Sequence, residues 1–349
     1  MWDILLKAGV SEGAAPETVK LESPWYVKVL LGFSGWLSAL FLLGFIGVGF
    51  EGVFKNSTLS FIVGLLMIGG AFAILRIPNN EFVEHLALAV SLAGQALVIF
   101  AIFKVSHRNE KVGWLLVVLL QVPLAIVMPN FVHRVFSSFA AAVAFNMALT
   151  FWHWPYVVSG IVMLLAALCW LNEFRYPSQV RKIQAIGYGL ILALIQIKVT
   201  ALFSHRITLW RITQHQPGLW IKPWMGEVLT GVVTLYVVWH LLRHYGQRIS
   251  ERIPIIALLG TVLLCAVSTK VQGITVGMVI MLLGYAGANR ILFGLGIVSL
   301  LFYISSYYYL LDATLLAKSR TLLVVGIVLL SSRWFMSLII PVKKEANHA

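Results

Sequence analysis

Between Pro24 and Arg333 the chain is a succession of apolar runs, each close to one bilayer thickness in helical length, with short polar breaks between them. A helix rises 1.5 Å per residue, so about 20 apolar residues cross the ~30 Å hydrocarbon layer. Inside that layer every backbone N–H and C=O must find a partner within the protein, and a helix supplies these partners by itself. The alternating apolar and polar pattern of a membrane barrel is absent. Composition leads to the same place: 60% of the 349 residues are hydrophobic and 11% are charged, against about 25% charged in a soluble domain. No soluble core buries so large an apolar fraction. The expected fold is all-α, a polytopic transmembrane helical bundle of about 12 spans.

The expected spans lie near 24–50, 57–75, 81–103, 113–128, 135–152, 155–171, 184–203, 225–242, 253–269, 271–289, 290–309 and 313–333. Ser23-Pro24 is an N-cap with proline at the first helical position. Asn56 and Asn80 are N-caps for the second and third spans. In FWHWPY, residues 151–156, the proline either separates two short helices or kinks one long one. Residues 1–23 form an amphipathic N-terminal segment, with Trp2, Leu5 and Leu6 on one side, and a polar linker. The first ten residues carry no basic leader and too short an apolar run for a signal peptide. Residues 24–340 form a single transmembrane helical domain with no dividing linker and no defensible repeat, and 341–349 a short basic tail.

The 26 Lys and Arg exceed the 13 Asp and Glu, a net charge of +13. In a soluble protein this would suggest nucleic acid. In a chain of membrane spans it reflects loops that stay cytoplasmic and face anionic lipid, so lipid is the expected partner and nucleic acid is not. With a cytoplasmic N-terminus, Arg175, Arg181, Lys182, Arg243, Arg248, Arg252, Lys343 and Lys344 fall inside. Lys104, Arg108, Lys111, Arg206, Arg211 and Lys222 fall outside. The balance favours both termini in the cytoplasm. Cys169 and Cys265 sit in apolar runs and read as packed thiols.

Residues 303–319, YISSYYYLLDATLLAKS, gather polar groups near the end of the chain. One reading is an anchored hairpin: a tyrosine belt, Asp312 capping the last helix, and Lys318 snorkelling back toward it. The other is a polar pocket of Tyr307, Tyr308, Tyr309, Asp312, Thr314, Lys318 and Ser319. Further in, Glu84 and His85 open the third span, where an acid in the first turn is favoured by the helix dipole. Gln95 lies eleven residues on, on a similar face, so Glu84 and Gln95 can line one seam. Lys198, in LIQIKVTALF, either snorkels or meets a carboxylate or several carbonyls inside the bundle. Asn146 and Gln121 read as helix–helix glue.

His240 and His244 share a helical face, but no third ligand accompanies them, so no metal is expected. The loop at 204–226 carries Trp210, Arg211, Trp220, Lys222 and Trp224 and suits a segment lying in the interface, a lid or a lipid-headgroup site. No phosphate loop, dinucleotide fingerprint, zinc pattern or serine-nucleophile elbow occurs. No catalytic residue and no cofactor is therefore expected.

The run YYYLLDATLLAKSRTLLVVGIVLLSSRW, with GANRILFGLG upstream, resembles the C-terminal signature of a bacterial membrane family, domain of unknown function 4401. SPWYVKVLLGFSGWLSALFLLGF near the start and SLAGQAL at 91–97 are similar to it as well. The resemblance implies a multi-pass protein of the bacterial inner membrane and brings no activity with it. Members are often encoded beside a small membrane-anchored protein bearing a GDY-x-x-L-x-Y motif, which implies such a protein as a partner. Three functions stay open. A permease or flippase predicts a water-reachable cavity with Glu84, Gln95 and Lys198. A non-catalytic accessory or assembly protein acting through a partner predicts lipid-filled packing and no cavity. An intramembrane lipid enzyme predicts carboxylates and histidines converging near the tryptophan loop. The scarcity of acids within the spans argues against a proton-driven pump and against a metal-dependent transferase.

Overall fold

A computed structural model of the chain describes residues 24–49, 51–77, 81–107, 109–152, 154, 156–203, 223–246, 252–269, 273–310 and scattered positions from 314 to 330. The described residues are helical and include no strand. Their apolar runs leave the backbone no other way to satisfy its polar groups out of water. Among the described residues, six helices are long and apolar enough to cross a membrane: Ser57–Arg76, Val83–Val105, Glu110–Val127, Phe131–Phe151, Pro177–Phe203 and Trp224–His244. Val157–Leu171, Pro254–Ala266, Ile274–Ala286 and Arg290–Ser306 are shorter apolar helices. The protein is thus an all-helical membrane protein.

The chain divides into two compact units, one of Met1–Arg108 with Met128–His133, the other of Asn109–Val127 with Arg134–Ala349. In the first, α1 is Trp25–Gly49, α2 Glu51–Lys55, α3 Ser57–Arg76 and α4 Glu81–Val105. Asn56 caps α3 as its sequence position suggests, its Oδ1 accepting from the backbone N–H of Thr58 at 2.9 Å and of Leu59 at 3.4 Å. The α3–α4 hairpin crosses where both helices have glycine. A Cβ on Gly64 would lie 2.7 Å from the Gly94 carbonyl oxygen, and one on Gly94 would lie 2.7 Å from that of Gly64. Small residues let helix backbones approach this closely.

The second unit contains α5, Glu110–Val127, and α6, Phe131–Phe151, whose first turn as far as His133 groups with the first unit. It continues with α7, Val157–Leu171, two 3₁₀ turns at Glu173–Arg175 and Pro177–Gln179, and α8, Val180–Phe203. Then come α9, Pro223–His244, α10, Arg252–Ser268, α11, Ile274–Ala286, and α12, Arg290–Leu310. Val158, Val162, Ala166, Ile191, Leu194, Val237 and Ile280 form its core. Outward-facing Leu119, Leu165, Leu263, Val298 and Leu301 stay exposed, as side chains turned to lipid do.

The FWHWPY stretch resolves into two helices, because α6 ends at Phe151 and α7 begins at Val157. Eleven of the expected runs coincide with helices to within a few residues. The last, 313–333, lies mostly outside the described residues, and so do 1–23, Asn80 and the tail 341–349.

Candidate functional site

The second unit builds its most polar buried site from five helices. Lys198 is five residues from the end of α8 (198 to 203), Glu227 four from the start of α9 (223 to 227), and Tyr303 seven from the end of α12 (303 to 310). At 1.5 Å per residue these side chains sit roughly 6–10 Å inside the helix ends. Lys198 Nζ donates to Glu227 Oε1 at 2.5 Å, and the two side chains are 5% and 3% exposed. Glu227 lies just past the first turn of α9, which opens at Pro223, and Gly226 beside it packs against the backbone of Tyr156.

Helices α10 and α11 end at this same level. Ser268, the last residue of α10, donates its hydroxyl to Glu227 Oε2 at 3.1 Å. The Ser268 hydroxyl also lies 3.2 Å from that of Thr275, in the first turn of α11. Gly273, at the start of α11, has φ +97°, a conformation open to glycine. A Cβ there would lie 2.7 Å from the ring of Tyr303, which is fully buried. The Tyr303 hydroxyl donates to the Ile195 carbonyl at 3.3 Å. Glu227 thus has a cation on one oxygen and a hydroxyl on the other, beside the positive end of α11.

A buried ion pair is costly, since desolvating each charge costs several kcal/mol, and apolar residues of similar volume are often as stable or more so. Its partners here are nevertheless all in place. The Thr230 and Thr234 hydroxyls return to their own helix, donating to Glu227 O at 2.9 Å and Thr230 O at 2.7 Å.

Two further polar clusters stand out, the first part-buried and the second buried. At the other end of α8, Glu173 Oε1 accepts from the Gln184 amide at 2.5 Å, and the Tyr188 hydroxyl accepts from Asn289 Nδ2 at 2.7 Å. The Trp170 ring meets Tyr188 edge-on at 4.9 Å. In the first unit, His133 Nε2 lies 2.8 Å from Ser91 Oγ and 2.8 Å from Gln95 Nε2, all three side chains buried. The Gln95 amide donates, which makes Nε2 the acceptor and puts the ring proton on Nδ1.

The sequence candidates fare differently. Lys198 turns inward to a carboxylate. Gln95 turns inward to His133, while Glu84 is exposed and His85 half-buried, so no polar seam joins Glu84 to Gln95. Gln121 is buried and Asn146 half-buried. The His240 ring lies against Tyr236 at 6.0 Å, and His244 is exposed. Of the C-terminal cluster, the Tyr308 and Tyr309 rings meet edge-on at 5.7 Å. Tyr309 and Thr314 are exposed, and Ser319 donates to the Leu316 carbonyl at 3.0 Å. Asp312, Lys318 and the side chain of Tyr307 lie outside the described residues, as do Trp210, Arg211, Trp220 and Lys222. Trp224 is exposed. Sequence reasoning missed Glu227, Ser268, Thr275 and Tyr303. Glu227 carried a usable signal, a lone acid a few residues inside an apolar run.

The family model described as domain of unknown function (DUF4401) matches residues 24–339. A galacturonate transporter of Dickeya chrysanthemi is 22% identical over 102 residues, 29% of this chain. The chain spans 30% of the length of that curated relative. No solved structure matches the chain.

Proposed function

The chain belongs to the family described as domain of unknown function DUF4401, and from that premise we propose that it is a permease-like carrier with the Lys198–Glu227 pair at its working centre. The pair is the observation that carries this reading. Opposite charges inside a membrane protein are rare and mark ion and substrate pathways more often than they add stability. Its setting supports the same reading: two short apolar helices end beside Glu227 at Ser268 and Thr275, and carriers build sites from the ends of discontinuous helices. The similarity to a galacturonate transporter makes a sugar acid the first probe.

The protein works in the bacterial cytoplasmic membrane with both termini in the cytoplasm, as its basic loops favour. A reporter fused after Lys344 gives cytoplasmic-type activity on this reading and periplasmic-type activity if the orientation is reversed. The functional test is uptake of labelled galacturonate into vesicles reconstituted with the purified protein. Saturable uptake by the wild type that disappears in Lys198→Met and Glu227→Gln supports the carrier. Uptake equal to that of protein-free vesicles, for galacturonate and other small organic acids alike, removes it in favour of a non-catalytic accessory role beside a small membrane-anchored protein.

A further inference from the structure

We propose that Arg134, near the start of α6, is the receptor for a singly charged oxyanion, a carboxylate or a phosphodiester, which supplies the counter-charge that the chain does not. This deepens the carrier reading and rests on it only in taking the anion for the carried solute; binding is a property of the site itself.

Arg134 is the fourth residue of α6, and it is 7% exposed. Its Nε is enclosed and bonds to nothing. Among the described residues none gives the guanidinium a hydrogen bond or an ion pair. The described carboxylates of the second unit are otherwise placed: Glu110 is exposed, Glu173 holds Gln184, and Glu227 holds Lys198. A guanidinium stays protonated in proteins, so Arg134 cannot escape burial by becoming neutral. A buried charge with no counter-charge is costly. The helix adds to that cost, because its start is its positive end, where an anion is favoured and a cation is not. Helical side chains lean toward the N-terminus, which directs the guanidinium to that same end.

The next turn of α6 is pressed against α8. A Cβ on Gly189 would meet Ser138 Oγ and the Val135 carbonyl, and would lie 2.9 Å from Phe139 N. Gly189 is nine residues from the start of α8 (180 to 189) and fourteen from its end (189 to 203). At 1.5 Å per residue the crossing is roughly 14 Å from one end of α8 and 21 Å from the other. Arg134 is one residue before this crossing, well along α8 and not at its outer end. The Ser138 hydroxyl is spent on its own helix, donating to the Arg134 carbonyl at 2.8 Å.

Charge and shape decide the ligand. One fixed positive charge in a dry site is balanced by one negative charge, and a dianion would leave a net charge behind. The guanidinium is a planar fork of N–H donors, which matches two oxygens of one group and not a spherical halide. A sugar acid carries such a group as its carboxylate, and a phospholipid headgroup carries one as its phosphodiester. The two sources share this chemistry, and the experiment separates them.

The test is the thermal unfolding of the purified full chain in neutral detergent, with sodium acetate, galacturonate or chloride at constant ionic strength. A ligand of the folded state raises its unfolding temperature as the site fills. Acetate or galacturonate should raise it saturably above its value in chloride. In a second arm, phosphatidylglycerol is compared with diacylglycerol of the same chains, which lacks the phosphodiester. An effect of the soluble anions makes the source a solute, and an effect of phosphatidylglycerol alone makes it a headgroup; both uphold the oxyanion site. In either case Arg134→Met should abolish the effect, and in chloride it should unfold no lower than the wild type, since it removes a charge that nothing in the chain balances. Arg134→Lys keeps the charge without the fork and should raise the half-saturating concentration several-fold. Arg181→Met, at an exposed arginine of α8, should leave the effect in place. Equal unfolding temperatures throughout both arms overturn the proposal. So does an effect that survives Arg134→Met or vanishes with Arg181→Met, and so does an Arg134→Met chain that folds but unfolds well below the wild type in chloride. Should Arg134→Met give no folded protein, Arg134→Gln, which sheds the charge and keeps a donor, replaces it, and an unchanged half-saturating concentration then overturns the site. Anion binding without solute uptake leaves this inference standing and removes the carrier. Solute uptake that Arg134→Met leaves unchanged, with no anion effect on unfolding, does the opposite.

Discussion

The Lys198–Glu227 pair of the second unit and the Ser91–Gln95–His133 cluster of the first are both buried and both hydrogen-bonded, yet they are held by different physics. In the pair, each charge is tolerated because the other is there. In the cluster, three neutral groups share hydrogen bonds, and none creates a field that another must cancel. A buried charge without its counter-charge costs far more than a buried hydroxyl or amide without an acceptor. The difference shows where a substitution is absorbed and where it spreads. A change in the cluster strands neutral hydrogen-bonding groups, while a change in the pair strands an ion.

The largest effect should therefore come from breaking the pair on one side. Glu227→Ala leaves the Lys198 ammonium buried alone and should cost about 3–5 kcal/mol in unfolding free energy. The double variant Lys198→Met with Glu227→Leu should return to within about 1 kcal/mol of the wild type, since well-packed apolar residues replace buried pairs at little cost. Reversible unfolding in mixed detergent measures both. Losses that simply add in the double variant would mean the two residues do not act as a pair.

The neutral cluster should respond less. His133→Leu removes the acceptor of Gln95 and the partner of Ser91, at about 1–3 kcal/mol for buried polar groups left unsatisfied. Adding Ser91→Ala should recover part of that loss, because one stranded group then disappears. A loss for His133→Leu as large as that for Glu227→Ala would erase the distinction between the two sites.

Much of the helical frame was legible in the sequence, because apolar run length is a direct consequence of bilayer thickness. Asn56 and the Pro155 break were legible for the same kind of reason, since a cap and a proline act on their immediate neighbours. The site was legible by halves. Lys198 stood out, as a base in the sequence ILALIQIKVT has few ways to be comfortable. Its partner is 29 residues away on another helix, so nothing in the local sequence joins the lone acid Glu227 to it. Ser268 and Thr275 are invisible to periodicity: what matters is that the end of α10 and the start of α11 meet Glu227, and the expected spans 253–269 and 271–289 gave no hint of that. His133 escaped because its partners, Ser91 and Gln95, are on another helix.

A third polar contact extends the comparison to the surface. Lys104 donates to the carbonyls of Phe54 at 2.8 Å and Lys55 at 2.6 Å, so its ammonium closes the C-terminal end of α2. Its Nζ also lies 5.7 Å from the centre of the Phe100 ring. Like Lys198 it is a lysine on a long apolar helix, and like Lys198 it meets negative charge, here the partial charge of a helix end. Unlike Lys198 it is exposed. Water and salt already serve an exposed ammonium, so the contact adds little: a cation at a helix C-terminus is worth about 0.3–1 kcal/mol. Lys104→Met should cost no more than that, and the loss should shrink as salt is raised from low to molar concentration, because exposed charges are screened. The loss on breaking the Lys198–Glu227 pair should change far less over the same range of a non-binding salt such as choline chloride. If the Lys104 loss were large and salt-independent, burial would not be what separates the two lysines.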